Sequence, residues 1–344
     1  MTAAGSPEGP GSPAPACSRP GSAPPSATIP AWSIVVVCFP GEFNLLRLLL
    51  RSLSKHLDPT DLDTILVLWN TDPGDDTSID RYRPGLISAL DAGRQLSPRL
   101  QLVPATPFLT PSERGMPGWS RQQILKLKAA ETVPSPAYVV LDAKNIVLAP
   151  VSRQTFFAPD GRAFSKRVDA SRPGKFTDFL QTALDLFGAD TDQLAPERSL
   201  PTVTPATLFV DVVTAMRAEL LRRHHETPAT YINRPNPRTS EFLLYAGYCA
   251  AHGLIEDRYR FSHHVSSATL YTVGPDTRAG LDKALARMSA QKTIFIGVHR
   301  RRWPRLADAD RERLGNLLID RGIFDNRTQL MHEFGYAPDR SPEV

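Results

Sequence analysis

Two short runs, Ser33–Cys38 (SIVVVC) and Thr64–Trp69 (TILVLW), are apolar or β-branched at almost every position. A strand with one wet face alternates in polarity. A run without alternation is covered on both faces, the habit of strands inside a parallel sheet. Pro30 and Pro40-Gly41 bound the first run, and the polar stretch Asn70–Asp76 closes the second. Between them, Glu42–His56 carries Phe43, Leu46, Leu49, Leu50 and Leu53 at helical spacing.

The same alternation continues along the chain. Asp80–Leu96 reads as a helix interrupted near Pro84-Gly85, Leu100–Val103 as a third strand, Gly118–Glu131 as a helix and Tyr138–Leu141 as a fourth strand. This order implies a mostly parallel sheet with helices on both faces. Ligands of such sheets sit at the carboxyl ends of the strands. The loops Phe39–Glu42, Asn70–Asp76 and Asp142–Asn145 are therefore expected to share one rim. Further on, the pattern predicts helices at Phe176–Phe187, Val212–Arg223, Ser240–His252, Asp276–Ala290 and Asp308–Arg321. It predicts strands at Ala206–Asp211 and Thr293–Val298.

The first 30 or so residues are almost entirely Pro, Gly, Ser, Ala and Thr, with no aromatic, Leu or Val. Such a stretch buries too little apolar surface to offset its ordering entropy and is expected to be disordered. The predicted organisation is a tail at 1–30, a folded domain at 31–325 and an extension at 326–344. The formal charge of +4 is small for 344 residues, and the basic residues are scattered apart from Arg300–Arg302. Nucleic acid is not an expected partner. Cys17, Cys38 and Cys249 form neither a metal pair nor a disulfide framework, which fits a reducing compartment. With no secretory signal pattern and no apolar stretch of spanning length, the expectation is a soluble cytoplasmic protein without an integral membrane segment.

The chemistry concentrates at Asp142-Ala143-Lys144-Asn145, where an apolar strand ends in an acid, a base and an amide. Asp142 would hold a cation or a sugar hydroxyl, Lys144 a phosphate, and Asn145 would donate and accept hydrogen bonds. The competing reading is a capped turn with Lys144 in solvent. On the preceding helix, Gln122 shares a face with Lys126, and Trp119 with Gln123. These residues suit a base, a ribose or a phosphate, or else a solvated polar face. Glu241 stands in the first turn of its helix, where the helix dipole alone favours an acid. His299 and Arg300 follow the strand TIFIGV, as phosphate contacts or as a solvated basic loop. Asp72, Asp75 and Asp76 form a small acidic cluster in a turn. The adjacent His263-His264 pair points opposite ways in an extended segment and is not a shared metal site. Fingerprints of dinucleotide sites, P-loops and α/β-hydrolases are absent.

The order GW-xx-QQ-xx-KL, then an apolar strand, then D-x-K-N resembles a bacterial family of glycosyltransferase-like proteins, similar in turn to nucleotide-sugar transferases of the GT-A fold. ATLFVD, TSEFLLYAGY and GVHRRRW extend the resemblance over residues 32 to 325. It implies a single GT-A-like, Rossmann-like α/β domain with a mixed, mostly parallel sheet. It also implies a nucleotide-diphosphate sugar as donor and a hydroxyl acceptor of unknown nature. Phe39 and Pro40 would meet the nucleotide base, and Asp142, Lys144 and Asn145 the sugar diphosphate. Glu241 would be the general base, and His299 with Arg300 would assist the leaving group. Members of that fold usually grip Mn2+ or Mg2+ through D-x-D. Here Lys144 replaces the second Asp, so either Asp142 holds a metal alone or an ammonium stands in for it. Two other classes stay open: a catalytically silent nucleotide-sugar-binding protein, and an interaction protein that docks through its Pro-rich tail.

Overall fold

The computed structural model describes residues 31–71, 79–165, 177–190, 200, 203–235, 238–261, 266–272, 274–275 and 277–333. The tail at 1–30, the acidic cluster Asp72, Asp75 and Asp76, the His263-His264 pair and residues 334–344 lie outside them. Among the described residues no helix is long and apolar enough to cross a membrane. Cys38 and Cys249 are free and buried.

The chain opens with β1 (Trp32–Cys38), α1 (Phe43–His56), β2 (Leu62–Trp69), α2 (Ile79–Asp91) and β3 (Leu100–Pro104). It continues through α3 (Pro111–Arg114) and α4 (Gly118–Lys128) to β4 (Ala137–Asp142) and β5 (Asn145–Val147). Next come α5 (Arg153–Phe156), β6 (Ala163–Ser165), α6 (Thr177–Phe187), β7 (Ala206–Phe209), α7 (Val210–His224), α8 (Pro228–Asn233) and α9 (Glu241–Ala251). The remainder is α10 (Leu254–Arg258), β8 (Tyr259–Phe261), β9 (Ser267–Leu270), α11 (Arg278–Ser289), β10 (Phe295–Val298), α12 (Asp308–Asp320) and α13 (Arg327–Glu333).

The main sheet runs in the order β3-β2-β1-β4-β7. Its first four strands are parallel, and β7 is antiparallel to β4. Every residue of β1 is buried, as expected for the strand in the middle. The connections from β1 to β2 to β3 step one way along the sheet, and that from β3 to β4 steps back across β1. Right-handed crossovers then place α1 and α2 on one face and α4 on the other. The strand order reverses between β1 and β4, so the crevice beyond their carboxyl ends is the switch point where ligands of doubly wound sheets collect. The mixed, mainly parallel α/β fold is the one the alternation predicts.

A second sheet, β5-β10-β9, departs from the first at Asp142. The turn after β4 feeds directly into β5, which pairs antiparallel with β10, Asn145 opposite Gly297. A Cβ on Gly297 would lie 2.9 Å from Thr269 Oγ1, so the absence of a side chain there lets β9 and β10 close up. The end of β10 thereby delivers His299 to the same edge as Asp142. Two hydrophobic clusters result. One surrounds the main sheet; the other joins the small sheet to α11, α12 and α13. Packed structure extends to α13, where Leu330 is buried and Arg51 pairs with Glu333 at 2.6 Å.

Local differences from the pattern have local causes. α2 runs unbroken through Pro84. An interior proline costs about 3 kcal/mol, and here the Tyr82 ring stacks on Phe43 and Trp69 at 4.6 and 4.9 Å while Gly85 sits against Phe43. β7 stops at Phe209 and not Asp211, because Val210 N–H turns to Pro136 O and starts α7. Ser240 occupies the N-cap of α9 without a capping side-chain bond. Gln123 Oε1 accepts the Glu241 N–H instead, at 3.3 Å. The three-residue strands β5, β6 and β8 are too short for a periodic signal.

α6 and α9 cross at Gly247, where an added Cβ would stand 2.7 Å from the Ala183 carbonyl oxygen. Gly247→Ala is expected to destabilise the protein by about 1–3 kcal/mol, read as a lower urea midpoint with unchanged slope; equal or greater stability would mean the two helices are not packed this way.

Candidate functional site

Two cavities lie side by side along the carboxyl edge of the main sheet. One, of about 650 Å³, is bounded by Phe39, Pro40, Asn70, Arg121 and Arg300. The other, of about 480 Å³, is bounded by Lys126, Asp142, Lys144, Arg238 and Glu241. Glu42, Trp119, Gln122 and His299 border both, so they form a single cleft with two arms. The loops after β1, β2 and β4 share this rim as far as they are described.

At the centre stands Lys126. The helix α4 is oriented by Tyr138, whose hydroxyl donates to the Lys126 carbonyl at 2.9 Å. The Lys126 ammonium lies 3.0 Å from Asp142 Oδ1 and 3.0 Å from Glu241 Oε1. It also sits 5.2 Å from the centre of the Phe242 ring. Asp142 Oδ2 receives Lys144 Nζ, and the Thr204 hydroxyl donates to it at 3.0 Å. Burial works against each of these charges. For Lys126 the two carboxylates outweigh it and raise the ammonium above its ordinary value. For Asp142 the two lysines outweigh it and hold the carboxyl well below the usual carboxylate range. Lys126 and Asp142 are therefore ionised throughout the physiological range.

Glu42 has the opposite character. Among the described residues its carboxylate makes no hydrogen bond or ion pair. Burial, with the Asp142 charge second, pushes it up to about 7, against the pull of Lys144, Arg300 and Lys126. His299 is pushed down to about 4 by burial and by Lys144 and the neighbouring arginines. Its Nδ1 accepts the Arg301 N–H at 3.2 Å and lies 2.9 Å from the Thr272 hydroxyl. The neutral ring thus carries its hydrogen on Nε2. Arg300 lies over the Phe39 ring with its guanidinium carbon 5.0 Å from the centroid.

Most residues singled out from sequence meet here: Phe39, Pro40, Trp119, Gln122, Gln123, Lys126, Asp142, Lys144, Glu241, His299 and Arg300 all border the cleft. Asn145 does not. It is buried, and its Oδ1 accepts the Asp142 N–H at 2.7 Å, closing the turn between the sheets. The capped-turn reading applies to Asn145, whereas Lys144 pairs with Asp142 and does not point to solvent. Gln123 is divided between the cleft and the start of α9. Three residues of the cleft were not singled out from the sequence. Glu42 directly follows Phe39-Pro40-Gly41 and reads as a helix start. Thr204 precedes a proline in a polar stretch. Arg238 stands three residues before Glu241 with no pattern around it.

A divalent metal does not fit this set. Both Asp142 oxygens face ammonium groups, the position of a second acid is Lys144, and Lys126 already bridges Asp142 and Glu241 as a cation would. Among the described residues no group of three metal-ligating side chains occurs.

The profile of DUF6492, a family of unknown function, matches residues 39–282. The chain belongs to the DUF6492 family. That DUF6492 segment contains the whole central cluster; His299 and Arg300 lie beyond it. No match is found among curated proteins. Among solved structures the chain is similar to the galactosyltransferase LgtC in complex with donor and acceptor sugar analogues, at 11% identity over 89% of this chain and 100% of that one, with a TM-score of 0.48. It is similar to the bifunctional glycosyltransferase WbbM at 13% identity, covering 88% of this chain and 52% of that one, with a TM-score of 0.46. For mouse xyloside xylosyltransferase 1 the values are 11%, 77%, 96% and 0.40.

Two outcomes follow for this DUF6492 protein. Lys126→Met leaves Glu241 buried without its cation, at an expected cost of about 3–5 kcal/mol; adding Glu241→Gln should restore part of it, and denaturation of the two variants reads the coupling. Glu42 binds its proton more tightly folded (about 7) than at its ordinary value of 4.5. Its contribution is therefore favourable at acid pH and is lost as pH rises through 7. Glu42→Gln should flatten the decline in melting temperature between pH 5 and 8, and parallel curves for the two proteins would show that Glu42 titrates normally.

Proposed function

We propose that the cleft binds a nucleotide-diphosphate sugar and transfers its sugar to an acceptor hydroxyl. The observation that carries this reading is the pairing of the two arms at the switch point. The first arm combines Phe39 with Arg121, Arg300 and Arg301 and has one acid, Glu42. That balance suits a flat base joined to phosphates. The second arm opens from Lys144 and Asp142 onto a polar and aromatic wall, room for a sugar and its acceptor.

In this reading Phe39, Pro40 and Asn70 flank the base and ribose. Lys144 and Arg300 meet the diphosphate, and Gln122 and Gln123 meet the transferred sugar. The acceptor oxygen attacks the anomeric carbon as the bond from that carbon to the diphosphate breaks. The departing oxygen gains negative charge, which Lys144 and Arg300 face. No metal is required, because the lysines supply the cationic field. The acceptor proton passes to a carboxylate. Glu241 is held by Lys126, so we assign that proton to Glu42, whose carboxylate has no ion pair among the described residues and an affinity matched to neutral pH.

A second reading, binding without turnover, is favoured by one feature. Both central acids are already neutralised by lysines.

Calorimetry with UDP, GDP and their sugars, with and without Mn2+, tests both readings. Nucleoside diphosphates should bind with no gain from Mn2+ and no loss on adding a chelator. Lys144→Ala and Arg300→Ala should each weaken them by about tenfold or more. Release of nucleoside diphosphate from a donor sugar selects transfer over binding. Absence of affinity for every nucleoside diphosphate under both conditions would end the proposal.

A further inference from the structure

The second arm holds a guanidinium that the reaction above does not use. Arg238 lies with its guanidinium carbon 4.0 Å from the centroid of the Trp119 ring and 5.7 Å from that of Phe179. Its Nε is buried without a hydrogen-bond partner, and among the described residues no carboxylate pairs with it. The other cations of this arm, Lys126 and Lys144, are matched by acids. Arg238 is different: it lies over two aromatic rings, and it borders the 480 Å³ cavity. A guanidinium carries a planar fork that can make two parallel hydrogen bonds to a carboxylate or phosphate, and aromatic rings beside it restrict its freedom to turn.

The wall beside it is aromatic and open. Trp119 and Tyr271 border the same cavity, and each is 44% exposed. Large aromatic faces left in water inside a cleft are suited to the apolar face of a sugar ring. The cation and the rings thus address two parts of one molecule, a ring and an attached anion.

We propose that this arm seats a sugar bearing an anionic oxygen group, a carboxylate or a phosphate, with Arg238 pairing the anion and Trp119 and Tyr271 facing the ring. This rests on the transferase reading in one respect: that reading makes the seated sugar the acceptor. The site itself is independent of it.

The test is binding to the full chain of three probes, methyl glucuronide, glucose 6-phosphate and methyl glucoside, by ligand-observed NMR or calorimetry. At least one charged probe should bind about tenfold or more tightly than the glucoside. A preference for the glucuronide identifies a carboxylate sugar, and a preference for the phosphate a phosphorylated one. Arg238→Gln should erase the preference, and Arg238→Lys, which keeps the charge but not the planar fork, should keep only part of it. Equal binding of the three probes to the native protein would overturn the site. So would a preference that survives in Arg238→Gln with its melting temperature unchanged. Should Arg238→Gln not fold, Arg238→Lys and Trp119→Leu carry the same test. Nucleoside diphosphate titration of the native protein runs alongside: its failure with the charged-sugar preference intact removes the transferase reading alone, and the reverse pattern removes this site alone.

Discussion

One ammonium group ties the cleft together. Lys126 projects from α4 to the end of β4 and the first turn of α9, and its two ion pairs hold these three elements in register. Its backbone is fixed by Tyr138 from the neighbouring strand. One helical turn earlier, Gln123 caps α9. An ion pair buried in this way contributes little net stability, because desolvation consumes most of the attraction. What it fixes is position. Asp142 and Glu241 belong to segments far apart in sequence, and a single partner determines how far apart they stand in space.

That arrangement explains the uneven charge of the cleft. Asp142 is saturated by Lys126, Lys144 and Thr204, and Glu241 by Lys126. Glu42 receives no such partner and resists ionisation. Two of the three acids in this pocket system are thus paired with lysines and the third is not, a difference set by neighbours and not by residue type. The charges that remain for a ligand are predominantly basic, from Arg300 at one end to Arg238 at the other.

The architecture was legible because it rests on long, repetitive signals. Unbroken apolar runs at β1 and β2 could only be interior strands, and the helical spacing of α1 placed a crossover between them. The gathering of Phe39, Asp142 and Glu42 at one rim followed from the rule that parallel strands present their ends together. Illegible were the features that depend on distant partners. Nothing near Lys126 announces Glu241, more than a hundred residues later. Asn145 offers the same side chain whether it faces a ligand or closes a turn; the turn won because β5 departs at that residue to join β10. Arg238 acquires its character from Trp119 and Phe179, brought to it by separate helices.

The helix α1 serves both hydrophobic clusters. Leu46, Leu49, Leu50 and Leu53 belong to the one around the main sheet, and Leu48 to the one beneath the small sheet. Loosening of that helix therefore disturbs both interiors at once.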